Sequence, residues 1–158
     1  MKGTMPEQAA KLRADFARAG AVMTTALQRG LLDAGLIVQR SAQKNLTDGQ
    51  HISTGLLRAS VTHRLIDFKR VQVGTNVPYA HDLEFGSAPH RVPIGDLLKW
   101  ARRKFGDESI AYAVQKSIEK KGTRPHPFLI PALNSNRTRI FSAVKSSLRK
   151  GIDEAAKK

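Results

Sequence analysis

An apolar stripe at helical spacing runs along the first third of this sequence, from Pro6 to about Leu46. Its members recur every three or four residues, which is the period of one helical face: Leu12, Phe16, Ala19, Met23, Ala26, Leu27, Leu31, Ala34, Val38, Ala42 and Leu46. The pattern predicts a helix of about 40 residues, about 60 Å long at 1.5 Å rise per residue. Glycines weaken a helix, so an interruption or bend is expected near Gly30. Because such a helix is long for one small domain, we expect part of its stripe to meet another subunit.

The middle of the chain predicts a small antiparallel sheet. A loop is expected over residues 47–54, and strict alternation of apolar and polar residues then predicts a half-buried strand from Leu57 to Leu65. A turn at Asp67 to Lys69 leads into a second strand at Val71 to Val73. The segment from Tyr79 to Phe85 fits both a strand and a single helical turn, so both assignments stay open.

Helical periodicity returns in the second half of the chain. One apolar face runs from Ile94 to Phe105. A second helix is predicted from the helical spacing of residues between Ile110 and Lys121, with Gly122 well placed as its C-cap. Three prolines make residues 123–131 extended, with a further short strand expected at residues 128–130. Pro131 suits the first position of the last helix. The buried stripe of that helix is predicted at Leu133, Ile140, Val144, Leu148, Ile152 and Ala155.

These elements predict one α+β domain over residues 1–158, a length that can bury a core of its own. Its segments are an N-terminal helix (1–47), a β-hairpin and corner segment (54–93), a two-helix excursion (94–122), and an extended segment with a long amphipathic C-terminal helix (123–158). Cysteine is absent from the sequence, which excludes disulfides and thiolate metal sites. No apolar run reaches the roughly 20 residues that span a bilayer, so no membrane contact is expected.

The formal net charge is +14, and most of the excess lies in the last sixty residues, with fifteen Lys and Arg against five acids. Such a surface attracts polyanions or an acidic protein partner. The candidate contacts are Arg102, Arg103, Lys104, Lys120, Lys121, Arg124, Arg137, Arg139, Lys145, Arg149 and Lys150. The sequence has no zinc finger, RNP aromatic pair or GXXG loop, and no aromatics interleaved with the charges. Solvated helix faces or acidic neighbours in an assembly are therefore favoured over direct DNA binding.

Four ionisable residues fall close together at His81, Asp82, Glu84 and His90. Their spacing matches none of the zinc signatures, and no nucleophile, phosphate loop or oxyanion-type turn accompanies them. We assign no catalytic, cofactor-binding or metal-binding residue, and we expect a protein that is not an enzyme.

Three motifs occur in order between residues 54 and 133. The first is Thr54-Gly55-Leu56-Leu57-Arg58-Ala59-Ser60-Val61. The second is Val73-Gly74-Thr75 leading to Pro78-Tyr79-Ala80 and Leu83-Glu84-Phe85-Gly86-Ser87. The third is Gly122-Thr123-Arg124-Pro125-His126-Pro127-Phe128-Leu129-Ile130-Pro131-Ala132-Leu133. With a long helix on either side, this ordered set resembles the neck and tail-completion (head-tail joining) minor virion proteins of tailed bacteriophages. The segment from Leu97 to Ile118 also looks like a region that many members carry, and Ser87 stands where threonine is expected.

The resemblance implies a structural, non-enzymatic subunit at the head-tail junction of a long-tailed (siphovirus-like) phage, prophage or phage-like particle. It implies a homo-oligomeric ring, for which a hexamer is one candidate size, assembled in the host bacterial cytoplasm. The implied neighbours are head-completion, tail-terminator or tail-tube proteins, with non-specific contact to packaged DNA. The motif residues expected to shape the core and corners are Gly55, Leu57, Arg58, Gly74, Tyr79, Glu84, Phe85, Gly86, Pro127, Phe128 and Pro131. The alternative is a small basic protein that binds DNA without sequence specificity.

Overall fold

The computed structural model describes residues 5–48 and 55–157, and in this part of the chain it contains seven helices and one two-stranded antiparallel sheet. The α+β class predicted from the sequence is confirmed. The elements are α1 (Met5–Asp48), α2 (Leu56–Ser60), β1 (Thr62–Asp67), β2 (Arg70–Gly74), α3 (Ala80–Phe85), α4 (Ile94–Phe105), α5 (Ser109–Lys121), α6 (Leu129–Ser135) and α7 (Arg137–Ala156).

The chain divides into two compact units, each built from separated stretches of sequence. The first unit takes the described residues within 1–40, 63–73 and 134–158. The second takes those within 41–62 and 74–133.

In the first unit, α1 and α7 approach closely at two glycines. A Cβ atom built on Gly30 would lie 3.0 Å from the Cα atom of Val144, and one built on Gly151 would lie 2.5 Å from the Cβ atom of Ala26. Both glycines are buried. The expected interruption at Gly30 is absent, because α1 continues through this position and uses the missing side chain to admit α7.

The β1–β2 hairpin lies against α1 in the same unit. A Cβ atom on Gly35 would come within 2.9 Å of the Val71 side chain and 3.0 Å of the His63 ring, and His63 Nδ1 is hydrogen-bonded to Gln39 Oε1 at 2.5 Å. Side chains alternate between half-buried and exposed along both strands. Asp67 closes the two-residue turn, since its carboxylate accepts hydrogen bonds from Lys69 N and Arg70 Nε at 2.8 and 2.7 Å.

The predicted strand from Leu57 to Leu65 is right only from residue 62 onward, since residues 56–60 form α2. A tertiary contact favours the helix: Gln43 Nε2 donates to the carbonyl oxygens of Arg58 and Val61 at 3.1 and 3.3 Å. These are carbonyls that the end of a short helix leaves without partners. The predicted loop is wrong at Thr47 and Asp48, which belong to α1. The rest of that loop, residues 49–54, lies outside the described residues.

The segment after α5 also differs from the prediction. Residues 129–135 form α6 instead of a strand at 128–130, and Pro131 occupies the third position of α6 rather than the first position of the last helix. Proline is tolerated there because the first N–H groups of a helix have no intrahelical acceptor. Leu133 and Ile152, predicted to be buried, are exposed. Ile140, Val144, Leu148 and Ala155 are half-buried.

The two-helix excursion is confirmed. The turn between α4 and α5 is made by Gly106, whose φ of 72° is left-handed and whose N–H binds the Arg102 carbonyl oxygen. The two helices contact each other, and each has one fully buried alanine, Ala101 in α4 and Ala111 in α5. The open segment at residues 79–85 resolves as helix, namely α3.

By length and composition alone, α1 is long and apolar enough to cross a membrane. Core helices of globular proteins satisfy the same criterion, and Ala26, Ala34 and Val38 of α1 are buried inside the protein. The expectation that the protein makes no membrane contact stays a prediction.

Candidate functional site

Glu84 is a buried carboxylate in the second unit, only 6% exposed. Its Oε2 atom accepts hydrogen bonds from the backbone N–H groups of Phe128 and Leu129 at 2.8 and 2.9 Å. Its Oε1 atom accepts one from Ile130 N at 2.8 Å. These N–H groups open α6 and have no acceptor within the helix, and negative charge is favoured at a helix N-terminus. Glu84 of α3 therefore caps α6 from outside that helix.

The segments on either side of this cap are joined by further hydrogen bonds. His126 N donates to the Leu83 carbonyl oxygen at 2.7 Å. Ser87 and Thr123 form an isolated antiparallel bridge with two backbone hydrogen bonds of 3.2 Å, and their hydroxyl oxygens lie 2.9 Å apart. We call residues 83–87 together with 122–130 the Glu84 corner. It brings the second and third sequence motifs into direct contact.

Two glycines allow the backbones of the corner to approach this closely. Gly86 has φ 77°, and a Cβ atom there would lie 2.6 Å from the Thr123 carbonyl oxygen. Gly122 has φ 71° and ψ −162°, a region open essentially to glycine alone, and its Cβ atom would overlap the Ser87 carbonyl oxygen. Both positions therefore require glycine on grounds of conformation and of space.

The first motif belongs to the same unit and is tied to the second. Ser60 Oγ and Thr75 Oγ1 are 2.6 Å apart, and Thr75 Oγ1 also accepts a hydrogen bond from Val77 N at 3.1 Å. Asn45, in the last turns of α1, donates to the Phe128 carbonyl oxygen at 2.9 Å. Apart from Val73, which belongs to the first unit, the described parts of the three motifs thus form one connected structure in the second unit.

The motif residues do not all play the parts expected of them. Phe128 is a core residue, 3% exposed, and Leu57 is buried. Tyr79 and Phe85, expected in the core or corners, are largely exposed, because the inner face of α3 is taken by Ala80 and Glu84, four residues apart. Pro127 and Arg58 are exposed and Pro131 is half-buried. Gly55 opens α2 with φ 77°, whereas Gly74 at the end of β2 has open space around it and no left-handed φ.

The four ionisable residues considered for a metal or acid–base site are not brought together. His81 and Asp82 are exposed, with 3.7 Å between His81 Nδ1 and Asp82 Oδ1. Both oxygens of Glu84 are occupied by backbone N–H groups, and His90 Nδ1 contacts Ser87 Oγ and the Ala88 carbonyl oxygen. Within residues 5–48 and 55–157, no three His, Asp or Glu side chains are placed to hold a metal ion.

Every basic residue singled out from the sequence is exposed. Six of them, from Arg102 to Arg124, belong to the second unit, and five, from Arg137 to Lys150, lie on α7 in the first. In the second unit Arg102 forms an ion pair with Glu108, and Lys104 Nζ lies 5.9 Å from the ring centroids of both Trp100 and Phe105. This mixed aromatic and basic cluster was not predicted from the sequence. The signal for it is that Trp100 precedes Lys104 by four residues and Phe105 by five within α4.

Two apolar faces remain exposed in the first unit. Residues 5–18 of α1 are all exposed, and Met5, Leu12 and Phe16 line one side of this segment, with Phe16 70% exposed. On α7, Phe141 is 74% exposed and Ile152 is 56% exposed, with half-buried Leu148 between them. We call these the α1 stripe (Met5, Leu12, Phe16) and the α7 stripe (Phe141, Leu148, Ile152).

Comparisons of this chain with protein-family models, with curated proteins and with solved structures found no match.

Proposed function

We propose that this chain is a structural virion protein of a long-tailed phage or phage-like particle, one that completes the tail or joins it to the head as a ring subunit at the neck. The proposal starts from the three ordered motifs and their resemblance to neck and tail-completion proteins. Each motif is short, but hydrogen bonds in the second unit connect the three motifs to one another. The buried carboxylate of Glu84 accepts hydrogen bonds from three backbone N–H groups, which supports a structural role.

The observation that carries the assembly role is the α1 stripe. Residues 5–18 make more than three helical turns, each side chain is exposed, and the large apolar residues Met5, Leu12 and Phe16 are confined to one side. A helical segment of this length gains most of its stability from packing of an apolar face. In a ring, the neighbouring subunit would supply that packing.

The decisive experiment is deletion of the gene in the strain that produces the particles, followed by electron microscopy. We expect full heads beside separate, finished tails, and rescue of joined particles by the wild-type gene. A gene carrying Glu84→Ala should rescue poorly, because the corner that unites the motifs is broken. Normal, infectious particles from the deletion strain would overturn the proposal.

The alternative is a small basic protein that binds DNA without sequence specificity. The observation that favours it is the exposure of all eleven basic residues singled out above, five of them on α7 alone. Such binding weakens with salt, since log K falls by about 0.9 per neutralised phosphate for each unit of log salt. A duplex affinity that stays constant from low to physiological salt would remove this function. A steep salt dependence would support it. If α7 contacts the DNA, the double variant Lys145→Glu, Arg149→Glu should reduce the slope of log K against log salt.

A further inference from the structure

We infer that the α7 stripe of one copy receives the α1 stripe of a second copy, with the two helices parallel. The inference rests on the proposed ring and names the surfaces that would build it. Both stripes lie in the described part of the first unit, and each is exposed or half-exposed there.

The two stripes have the same spacing. Met5, Leu12 and Phe16 stand at positions i, i+7 and i+11 of α1, and Phe141, Leu148 and Ile152 stand at i, i+7 and i+11 of α7. At 100° per residue the members of each stripe fall within about 40° of one another, over a rise of about 16 Å. Two helices with this pattern can therefore lie side by side so that each apolar residue of one stripe contacts one of the other.

The spacing also decides the direction. A parallel alignment sets Met5 against Phe141, Leu12 against Leu148 and Phe16 against Ile152. An antiparallel alignment of the same ends would set Leu12 against Lys145, which opposes an apolar side chain to a charged one. Parallel docking is therefore the arrangement that buries all six side chains.

The α1 stripe continues a packing surface that the protein already uses. Met23 lies on the same side of α1 as Met5 and Phe16, and its sulfur would be 3.6 Å from a Cβ atom on Gly151 of α7. The face of α1 that receives its own α7 thus runs on, without a change of side, into residues 5–16. Within one copy α7 lies antiparallel to α1 at this face, since Gly151 meets Ala26 and Gly30 meets Val144. Residues 5–16 lie beyond that contact, and α7 of a second copy is the occupant whose stripe matches their spacing.

The two stripes are different patches, so the contact is heterologous: each copy offers its α1 stripe to one neighbour and its α7 stripe to the other. A heterologous contact produces a ring when its rotation closes and a filament when it does not. This is the type of contact that a ring at the neck requires.

The test uses the absence of cysteine from the chain. Two single-cysteine proteins, Phe16→Cys and Ile152→Cys, are purified with tags of different mass, mixed and mildly oxidised. A disulfide between them must join two copies. We expect the mixed dimer, and we expect Met5→Cys with Phe141→Cys to give it as well, whereas Met5→Cys with Ile152→Cys should not.

The matched control is Ala14→Cys mixed with Ile152→Cys. Ala14 is also exposed but lies on the opposite side of α1 from the stripe. Cross-linking of the Phe16 pair several-fold above this control supports the inference. Equal yields from the two pairs, or a wild-type protein that sediments as a monomer at every concentration tested, overturn it. Particle morphology in the deletion strain tests the proposed function separately. Separate heads and tails together with no cross-link would mean that the protein acts at the neck but that its two stripes do not meet.

Discussion

The carboxylate of Glu84 accepts the backbone N–H of Phe128 at 2.8 Å across 44 positions of sequence. The four residues before α6 are Pro125, His126, Pro127 and Phe128, none of which is a Ser, Thr, Asp or Asn that could cap the helix locally. The hydrogen-bond acceptor that a local cap would supply at this helix end comes instead from α3. A distant carboxylate thus decides where α6 begins, and it fixes the two motifs against each other.

Removing this carboxylate should destabilise the protein markedly. Glu84→Ala leaves three N–H groups at the start of α6 without their acceptor, and we expect the free energy of unfolding to fall by about 3 kcal/mol. Glu84→Gln keeps one acceptor oxygen and should lose less. Urea unfolding followed by circular dichroism measures both. The control is Asp82→Asn, an exposed carboxylate two residues away, for which we expect a change within about 0.5 kcal/mol. Equal losses for Glu84→Ala and Asp82→Asn would contradict the capping role.

Gly122→Ala should be far more damaging than Gly106→Ala, although both glycines have φ close to 70°. At Gly106 nothing lies within 4 Å of an added Cβ atom, so only the left-handed backbone is penalised, by about 1–2 kcal/mol. At Gly122 the added atom also overlaps the Ser87 carbonyl oxygen, so the bridge between Ser87 and Thr123 must open. Thermal unfolding of the two variants provides the comparison. Similar melting temperatures would show that the corner tolerates opening.

Gly20→Ala and Gly151→Ala should change stability in opposite directions. Both glycines are helical, and alanine is favoured over glycine in a helix by up to about 1 kcal/mol. Gly20 has open space around it, so we expect the melting temperature to rise. At Gly151 the new methyl group would lie 2.5 Å from the Cβ atom of Ala26, so α1 and α7 must separate and the melting temperature should fall. A rise for both variants would mean that these helices are not held at this distance.

Stability in acid should depend on Asp67 and Asp107. The backbone N–H of Lys69 and the Arg70 guanidinium lower the pKa of Asp67 from its ordinary value of 3.8. The hydroxyl and backbone N–H of Ser109 lower the pKa of Asp107 likewise. Because both pKa values are lower in the folded protein, the stabilisation is present above pH 3.8 and is lost as the pH falls through the folded values.

The measurement is the melting temperature of the wild type and of the Asp67→Asn, Asp107→Asn double variant between about pH 6 and pH 2. We expect the wild type to be the more stable at the upper end, with the difference shrinking below pH 3.8. A difference that does not change with pH would show that these two carboxylates do not contribute through their charge.

Charging the α1 stripe should affect assembly and leave the single subunit stable. Leu12→Glu with Phe16→Glu changes side chains that are already exposed, so we expect the unfolding free energy to change by about 0.5 kcal/mol or less. If the proposed ring forms through this stripe, sedimentation should show that the double variant does not form it. The control, Ala14→Glu with Ala17→Glu, adds the same charge on exposed positions outside the stripe and should assemble normally. Loss of assembly in both double variants would point to net charge and not to the stripe.

Several elements of this protein could be predicted from local pattern alone. The period of the apolar residues located α1, α4 and α5, because one helical face repeats every three to four residues whatever surrounds it. The hairpin at residues 62–74 followed from alternation and a turn signal at Asp67, whose side chain does close the turn. Gly122 was identified as a cap because its requirement is a property of its own backbone.

The remaining features depended on partners distant in sequence. The alternation of residues 57–60 predicted a strand, but residues 56–60 form α2. The side-chain amide of Gln43 donates hydrogen bonds to carbonyl oxygens at the end of this helix and stabilises it. The capping role of Glu84 could not be predicted from the sequence, since the helix that it caps begins more than forty residues away. Tyr79 and Phe85 were expected in the core or corners because the family resemblance implies it, yet Ala80 and Glu84 occupy the inner face of α3.

The sequence by itself determined the helical periods, the hairpin turn and the cap at Gly122, because each is set by interactions within a few residues. The tertiary structure alone decided that Gly30 and Gly151 serve for close helix packing, that a buried carboxylate holds α6, and which apolar side chains of α1 and α7 stay exposed. The physical reason is that the burial of a side chain and the partner of a hydrogen bond depend on what packs against them. A periodic pattern shows which face of a helix is apolar, but it does not show how far along the helix that face is buried by other elements.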